Sequence, residues 1–208
     1  MLKLENFWVN FEELWRNAFE GISFELKRWE VLAIVWKSWS WKTTLLKAIA
    51  WILDKKSRTS WTLDFDNRKY LTRMIFQEDN LLPWLDVEEN LSLWLRVIGF
   101  KDDQIKNEIS VWLKDLGLDG FSNFLPKIMS LWMRRRVNFL RATICKPDLL
   151  LADEPFTSVD QNTKSKLYDY LKDFLKDWNR SCILVTHDLK EAKFFADKIY
   201  NINSKNFV

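Results

Sequence analysis

The sequence predicts an α/β fold with a mostly parallel sheet, an antiparallel β-region at its start and a helical subdomain inserted in its middle. Short apolar runs alternate with amphipathic helical stretches along most of the chain, which is typical of parallel strands joined by helices. Residues 2–28 instead alternate apolar and polar positions, as half-buried antiparallel strands do. The length suits a single domain, 1–208, with a core from 1–80 and 146–208 and a helical subdomain at about 81–145.

The core strands are predicted from continuous apolar runs, which fit strands buried on both faces of a sheet. These runs are 31–35, 73–76, 149–152, 183–185 and 199–202. A further short strand is predicted around 62–65, within a polar surface stretch. Helices are predicted at 45–50, 162–177 and 189–196.

The middle of the chain has a helical pattern. One set of apolar residues is spaced four, four and three residues apart, which places the set on one helix face. Its members are Val87, Leu91, Leu95 and Ile98, and a similar set is Ile105, Ile109, Leu113 and Leu116. Glycines 99, 117 and 120 divide this stretch into short helices.

A polar loop follows the first buried strand and leads into a helix, in the order found in a phosphate-binding P-loop. Lys42 and Thr43 end the pattern G-x-x-x-x-G-K-[ST], in which the lysine contacts phosphate and the hydroxyl binds Mg²⁺. Trp36 and Trp41 occupy the two glycine positions, where the turn requires a positive φ and a side chain would fill the phosphate's space. The candidate phosphate-binding residues are Trp36, Lys37, Ser38, Trp39, Ser40, Trp41, Lys42, Thr43 and Thr44.

Tryptophan is unusually frequent in this chain and glycine unusually rare. The sequence has 13 Trp and 4 Gly, so glycine is about 2% of residues against an ordinary usage of about 7%. Read literally, the loop would lose phosphate binding, because a left-handed conformation costs a non-glycine residue about 1–2 kcal/mol and an indole adds a steric block. We interpret most tryptophans as native glycines encoded by UGA, a codon that some bacterial lineages read as glycine. The alternative is a Trp-rich core or binding platform.

Composition limits the remaining function classes. A formal net charge of +3 does not favour nucleic acid or a membrane surface as a partner. Cys145 and Cys182 form no C-x-x-C motif, which suits a reducing cytosol, although sequence alone leaves a disulfide open. No apolar run approaches the roughly 18 residues of a membrane-spanning helix, and the first residues do not resemble a signal peptide. We therefore expect any membrane role to act through a partner.

Several polar residues directly follow predicted strands, where parallel α/β sheets bind ligands. Asp153 could hold Mg²⁺ and Glu154 could activate a water for attack on a γ-phosphate. Gln77 and His187 also follow predicted strands, and His187 is the single histidine of the chain. Lys42 follows a predicted strand too, with the polar loop between them. Individually, these residues are also explained by a helix start, a strand-end cap or a structural histidine. Together they predict one active site.

Three arginines, 134–136, follow Ser130 in the helical region. They could form an anion site, or a solvated helix face beside the apolar Val137 and Leu140. We favour the solvated face.

With these motifs in place, the chain resembles the nucleotide-binding subunit of an ABC transporter nearly end to end. Residues 36–43 match the Walker A loop if the tryptophans stand for glycines, and 149–154 match Walker B, with Glu154 as the catalytic base. Gln77 matches the Q-loop that couples to the membrane subunit, and His187 the switch histidine. The resemblance implies a P-loop NTPase with a RecA-like core that uses ATP and Mg²⁺.

Weaker matches complete the resemblance. Phe11 lies in the first turn region, at the position where the family stacks an aromatic ring on adenine. Asp160 lies in a segment that resembles the D-loop of the family. Ser130 and Trp132 fall in the signature motif, normally Leu-Ser-Gly-Gly-Gln, where Leu131 departs from the family pattern. The resemblance implies Thr43, Gln77 and Asp153 as metal ligands, and nucleotide contacts from Phe11, Ser130, Trp132 and Asp160 in addition to the loop.

Within the family, residues 81–85 and 133–136 look most like the ATPases of nitrate, sulfonate and taurine importers. Trp84 matches that subfamily as a true tryptophan. The expected glycine sites are Trp29, Trp36, Trp39, Trp41, Trp51, Trp61, Trp94, Trp132 and Trp178. Trp8, Trp15 and Trp112 are left unassigned.

The resemblance also implies partners and a location. Two ATPase subunits would close head to tail, so that Ser130 of one chain contacts the γ-phosphate bound at Lys42 of the other. Transmembrane permease subunits and a substrate-binding protein would complete an importer at the cytoplasmic face of the cell membrane, with no role for nucleic acid. The alternatives are an exporter-type or soluble ABC ATPase, or a non-catalytic degenerate ABC protein if the tryptophans are genuine.

Overall fold

The computed structural model describes residues 2–11, 16–36, 42–50, 52, 57–64, 71–157, 159–177 and 179–207. The strands are β1 (Leu2–Phe11), β2 (Arg16–Leu26), β3 (Val31–Val35), β4 (Ser57–Asp64), β5 (Thr72–Ile75), β6 (Leu149–Asp153), β7 (Ser181–Thr186), β8 (Lys198–Asn201) and β9 (Asn206–Phe207). The helices are α1 (Lys42–Ile49), α2 (Val87–Val97), α3 (Asp102–Asp115), α4 (Leu131–Thr143), α5 (Gln161–Asp177) and α6 (Leu189–Phe195), with a 3₁₀ turn at Pro126–Ile128.

The N-terminal strands form an antiparallel sheet, as predicted. Within the described residues its order is β2-β1-β4, with Leu4 opposite both Phe24 and Leu63. The alternation places Leu4 and Phe24 in the core while Lys3 is exposed. Phe11 is the last residue of β1, paired with Arg16 and Ser57, and so belongs to a strand and not to a turn.

The central sheet has the order β5-β6-β7-β3-β8-β9 in the part of the chain that the structure describes. Neighbours from β5 to β8 are parallel, so their carboxyl ends share one edge. The last strand, β9, is antiparallel to β8 and was not predicted, since two residues carry no detectable period. The ring of Phe207 packs edge-on against Tyr200, with centroids 5.2 Å apart, and fixes this strand to its neighbour.

Both faces of the central sheet are covered, which explains the uninterrupted apolar strands. Leu149 and Leu151 of β6 face the cluster formed with α1 and the antiparallel sheet. Leu150 and Ala152 face the opposite cluster, which contains residues of α4 and α5. The two cysteines are buried free thiols, on β7 and just after α4.

The middle of the chain forms the predicted helices around a hydrophobic cluster of their own. The cluster contains Val87, Leu91 and Leu95 of α2 together with residues of α3 and α4. Helix α2 begins with a capping box between Asp86 and Glu89, which satisfies free N–H groups at the helix start. Gly99 lies just beyond its end with φ 93°, a conformation that favours glycine. No helix among the described residues is long and apolar enough to cross a membrane.

Candidate functional site

The candidate site lies along the carboxyl edge of the central sheet. Strand β6 ends at Asp153, β7 ends at Thr186 and β3 ends at Val35. The parallel register pairs Asp153 with Val185 and Val35 with Thr186, so these three ends lie side by side. The fold therefore brings together Asp153, Glu154 and His187, three of the residues that follow predicted strands, and places Thr43 beside Asp153.

Thr43 and Asp153 are in direct contact. The Oγ1 hydroxyl of Thr43, in the first turn of α1, donates to Oδ2 of Asp153 over 2.5 Å. Asp153 is 2% exposed, so the carboxylate is held away from bulk solvent beside a helix start. A hydroxyl and a carboxylate are oxygen donors of the kind that Mg²⁺ prefers. The pair therefore fits a magnesium ion.

Glu154 and His187 form the second pair. The histidine Nδ1 lies 3.2 Å from Oε2 of Glu154, which also accepts a hydrogen bond from the Thr157 hydroxyl at 3.0 Å. The Glu154 side chain is 10% exposed and that of His187 is 59% exposed. This carboxylate can accept a proton while the exposed imidazole faces solvent, which is the arrangement needed to orient and deprotonate a water.

The backbone at Glu154 is unusual. Its φ is 43°, in the left-handed region that non-glycine residues rarely occupy. The Glu154 N–H donates to the carbonyl of Val185 at 2.9 Å and continues the β6–β7 pairing one residue past the strand. Strained conformations of this kind persist where the surrounding structure holds them, often at functional sites. The sequence pattern did not predict this conformation.

The candidate phosphate loop is described only in part. Residues 37–41 lie outside the described residues, so the predictions for Lys37, Ser38, Trp39, Ser40 and Trp41 have no structural counterpart. Trp36 is partly buried against the cluster between the two sheets. Lys42 is the first residue of α1, and Thr44 is half-buried in the same turn. Strand β3 precedes this stretch and α1 follows it, as predicted.

Arginines of α4 hold the segment that contains Gln77. Arg135 Nη1 donates to the Gln77 carbonyl and lies 3.2 Å from the carboxylate of Asp79. Arg134 reaches the same carboxylate through Nε at 3.2 Å. Arg136 is 6% exposed, donates to the Leu116 carbonyl at 2.7 Å and stacks on Trp132, with 4.5 Å from its Cζ to the ring centroid.

The solvated-face interpretation of these arginines was therefore wrong. Arg135 is 9% exposed, and both it and Arg136 are buried because backbone carbonyls of neighbouring segments accept their N–H groups. An arginine run adjoining an apolar helix face carries no sequence sign that distinguishes solvent from a buried carbonyl. The planar guanidinium suits this use, because it remains charged and offers several donors at once.

Ser130 and Asp160 each begin a helix. Ser130 Oγ accepts from the Met133 N–H at 3.4 Å and caps α4, while Leu131 and Trp132 are 45% and 36% exposed. The Asp160 carboxylate accepts from the Thr163 N–H at 3.0 Å at the start of α5. Both residues are exposed on the surface. The backbone of Phe11 lies at the end of β1.

Sequence reasoning missed a buried glutamate that contacts Thr186, the residue before His187. Glu191 is 5% exposed and accepts from the Thr186 hydroxyl at 2.5 Å, and Lys164 lies 2.7 Å from its other oxygen. Burial first, and then the charge of Glu191, raise the pKa of Tyr168. A glutamate on the first turn of a helix is usually exposed, so only the buried packing of α6 on the sheet identifies it.

The fold is that of a P-loop nucleoside triphosphatase with an antiparallel sheet and a helical segment added to its parallel core. Residues 19–157, more than half of the chain, match the ABC transporter family, and the chain belongs to this family. It also matches the ATP-binding cassette MJ0796, solved as a dimer in a post-hydrolysis state bound to ADP and Pi. That match has a TM-score of 0.85 and 26% identity, and it covers 97% of this chain and 94% of the other.

Among characterised proteins, the chain is similar to ATP-binding proteins of importers. The chain is 39% identical over 104 residues to the aliphatic sulfonates import ATP-binding protein SsuB 1 of Pseudomonas aeruginosa, covering 49% of this chain and 42% of the relative. It is 34% identical over 111 residues to the nitrate import ATP-binding protein NrtD of Synechocystis, covering 53% and 42%. The aligned part thus spans less than half the length of these relatives.

Proposed function

We propose that the chain is the ATP-binding and ATP-hydrolysing subunit of an ABC transporter that powers import of a small solute. The observation that carries this proposal is the pairing of Thr43 with Asp153 and of Glu154 with His187 at one edge of the sheet. The family match and the likeness to import ATPases for sulfonate and nitrate support the importer assignment.

The geometry of the two pairs supports the proposed roles of their members, and the resemblance to the family supports the others. Thr43 and Asp153 would hold Mg²⁺, which supplies positive charge against phosphate oxygens, with Gln77 as a further ligand. Glu154 would accept the proton of the attacking water, and His187 would keep that carboxylate oriented, since its Nδ1 lies at 3.2 Å. The remaining proposed ATP contacts are those of the loop at 36–44, of Phe11, and of Ser130, Trp132 and Asp160.

We propose further that the tryptophans at the predicted glycine sites are glycine in the native protein. Trp29 supports this, because its φ is 61° and its side chain is 66% exposed. An exposed left-handed turn position suits glycine and gives no packing reason for an indole. In Walker A, glycine would let backbone N–H groups approach a phosphate, whereas the loop with tryptophan at positions 36, 39 and 41 would not hydrolyse ATP.

The proposed assembly is a head-to-tail dimer attached to transmembrane permease subunits at the cytoplasmic face of the membrane, with a substrate-binding protein as a further partner. We retain the proposed division into a core, 1–80 and 146–208, and a helical subdomain at about 81–145. The separate hydrophobic cluster of α2, α3 and α4 supports this division. The dimeric state of the solved cassette supports the pairing of two chains.

The first test reads the codons for positions 36, 39, 41, 132 and 84 in the gene, together with peptide masses of protein from the native host. We expect UGA and glycine masses at the first four positions, and UGG with tryptophan at position 84. A chain carrying glycine at all the predicted sites should then hydrolyse ATP, and Glu154→Gln should abolish that activity. UGG and tryptophan masses throughout would favour the non-catalytic alternative.

A further inference from the structure

Glu191 is a buried carboxylate that the proposed hydrolysis does not use. It lies in the first turn of α6, with a side chain 6% exposed. Burying a carboxylate is costly unless hydrogen bonds and a counter-ion compensate, so its partners show what the residue holds in place. Besides Tyr168, two partners, Thr186 and Lys164, lie next to elements of the candidate site.

The first partner belongs to the strand end that carries the histidine. The Thr186 hydroxyl donates to one oxygen of Glu191 at 2.5 Å and accepts from the backbone N–H of Asp188 at 3.1 Å. Thr186 and Asp188 are the two chain neighbours of His187. One buried hydroxyl therefore fixes the backbone on both sides of the histidine, and Glu191 fixes the hydroxyl.

The second partner belongs to α5. Lys164 Nζ lies 2.7 Å from the other oxygen of Glu191 and 3.9 Å from the carboxylate of Asp188. Its backbone N–H donates to the Asp160 carbonyl at 2.8 Å, in the first turn of the helix that Asp160 caps. A continuous set of contacts therefore joins Asp160, at the exposed start of α5, to the backbone around His187.

We propose that Glu191 is a positioning residue which, with Thr186 and Lys164, holds His187 against Glu154 and ties this pair to the start of α5. The inference rests on the proposed function, because the Glu154–His187 pair is its hydrolytic centre. Glu191 acts through other residues: its two oxygens accept from the Thr186 hydroxyl, one residue before His187, and from the Lys164 ammonium group, which also approaches Asp188. Loss of either contact frees the segment 186–188, and His187 then moves away from Glu154.

Because His187 is the chain's single histidine, its ring Cε1–H should give one resolved NMR signal. Glu154→Gln removes a negative charge 3.2 Å from Nδ1, so it should displace that signal. The size of this displacement measures how closely the two side chains approach. We expect it to fall about twofold or more in chains that also carry Thr186→Val or Glu191→Ala. In a Thr186→Ser background, which keeps the hydroxyl, the full displacement should return.

The matched control is the ion pair between Glu30 and Lys198. Its N–O distance is also 2.7 Å and its carboxylate is 11% exposed, but it joins β8 to the turn before β3. Glu30→Gln should leave the response to Glu154→Gln unchanged. An equal response in the Thr186→Val, Glu191→Ala and unaltered backgrounds would overturn the inference. If Glu191→Ala does not fold, the near-isosteric Thr186→Val decides the result.

Hydrolysis gives a second measurement in the chain with glycine at the predicted sites. Thr186→Val and Glu191→Ala should lower kcat about tenfold while the KM for ATP stays within about twofold, because the substrate contacts are untouched. Thr186→Ser and Glu30→Gln should retain kcat. Absence of ATPase activity before any further change would contradict the proposed function, and the NMR measurement would still decide the inference. Unchanged kcat in both variants would overturn the inference alone.

Discussion

At the scale of single residues, Trp29 is the described tryptophan whose backbone most directly favours glycine. Its φ is 61° and its side chain is 66% exposed. A left-handed conformation costs a non-glycine residue about 1–2 kcal/mol. We therefore expect Trp29→Gly to raise the free energy of unfolding by about 1 kcal/mol, after the entropic cost of glycine in the unfolded chain is subtracted. Urea denaturation measures this change.

Trp84 provides the matched control for this prediction. It is 70% exposed, similar to Trp29, but its φ is not positive. Trp84→Gly should lower the free energy of unfolding by about 0.5–1 kcal/mol, because glycine adds disorder to the unfolded chain and relieves no strain. An equal effect of the two substitutions would contradict the strain argument.

The sequence indicated which side chains would lie close together where a reactive residue directly follows or begins a regular element, and the roles assigned to these residues stay predictions. Thr43, Asp153, Glu154 and His187 each follow or begin a regular element, and the fold brings them together in two pairs. The burial of Arg135 and of Glu191 could not be predicted, because each depends on a carbonyl or a lysine far away in the chain. The left-handed backbone of Glu154 could not be predicted from the sequence either, since its N–H bonds to the Val185 carbonyl of β7.

At the scale of elements, arginine side chains of α4 bind the segment between β5 and α2. Arg135 contacts both the Asp79 carboxylate and the Gln77 carbonyl, and its side chain is 11% exposed. Arg135→Met should lower the free energy of unfolding by about 1–2 kcal/mol, because it removes this donor from the Gln77 carbonyl and leaves the Asp79 carboxylate with Arg134 alone. Hydrogen exchange should accelerate at 77–79 in the same variant. Arg96→Met is the control: its ion pair with Asp102 is exposed and 3.5 Å long, so we expect a change within about 0.5 kcal/mol.

The turn between β2 and β3 provides a pH-dependent contact. Burial alone would raise the pKa of Glu30, but hydrogen bonds from Lys198 and from the Lys27 N–H lower it overall below 4.5. A lowered folded-state pKa means that the charged carboxylate stabilises the fold above the unfolded value, and that this contribution is lost as pH falls through the folded pKa. The difference in unfolding free energy between the native side chain and Glu30→Gln should therefore be constant near neutral pH and shrink below about pH 4.5. A difference that grew on acidification would contradict this sign.

Elements were predictable to the extent that their pattern was local. Continuous apolar runs identified the strands of the central sheet because both of its faces are covered. The regular spacing of Val87, Leu91 and Leu95 identified α2 because one face of this helix packs into the hydrophobic cluster of the helical segment. Strand β9 was missed, since its two residues are ordered by pairing with β8 and by the contact of Phe207 with Tyr200.

At the scale of the whole molecule, the proposed ATPase requires two chains for each complete site. Ser130 caps α4 at an exposed position, and the Thr43–Asp153 pair lies partly buried at the sheet edge. In the proposed head-to-tail dimer, Ser130 of one chain faces nucleotide held by Lys42 of the other. A site built in this way can be restored by mixing two inactive variants, whereas a site contained in one chain cannot.

The prediction is made for the chain with glycine at the predicted sites. Lys42→Ala and Ser130→Arg should each abolish ATPase activity alone. Random pairing in an equal mixture places intact Lys42 opposite intact Ser130 at one site of each mixed dimer, so the mixture should recover about a quarter of the unaltered activity. Activity that stays at the level of the separate variants, although mixed dimers form, would mean that each site is complete within one chain. Head-to-tail sharing of the site would then be wrong, and the pairing of Glu154 with His187 would still stand as the hydrolytic centre of a single subunit.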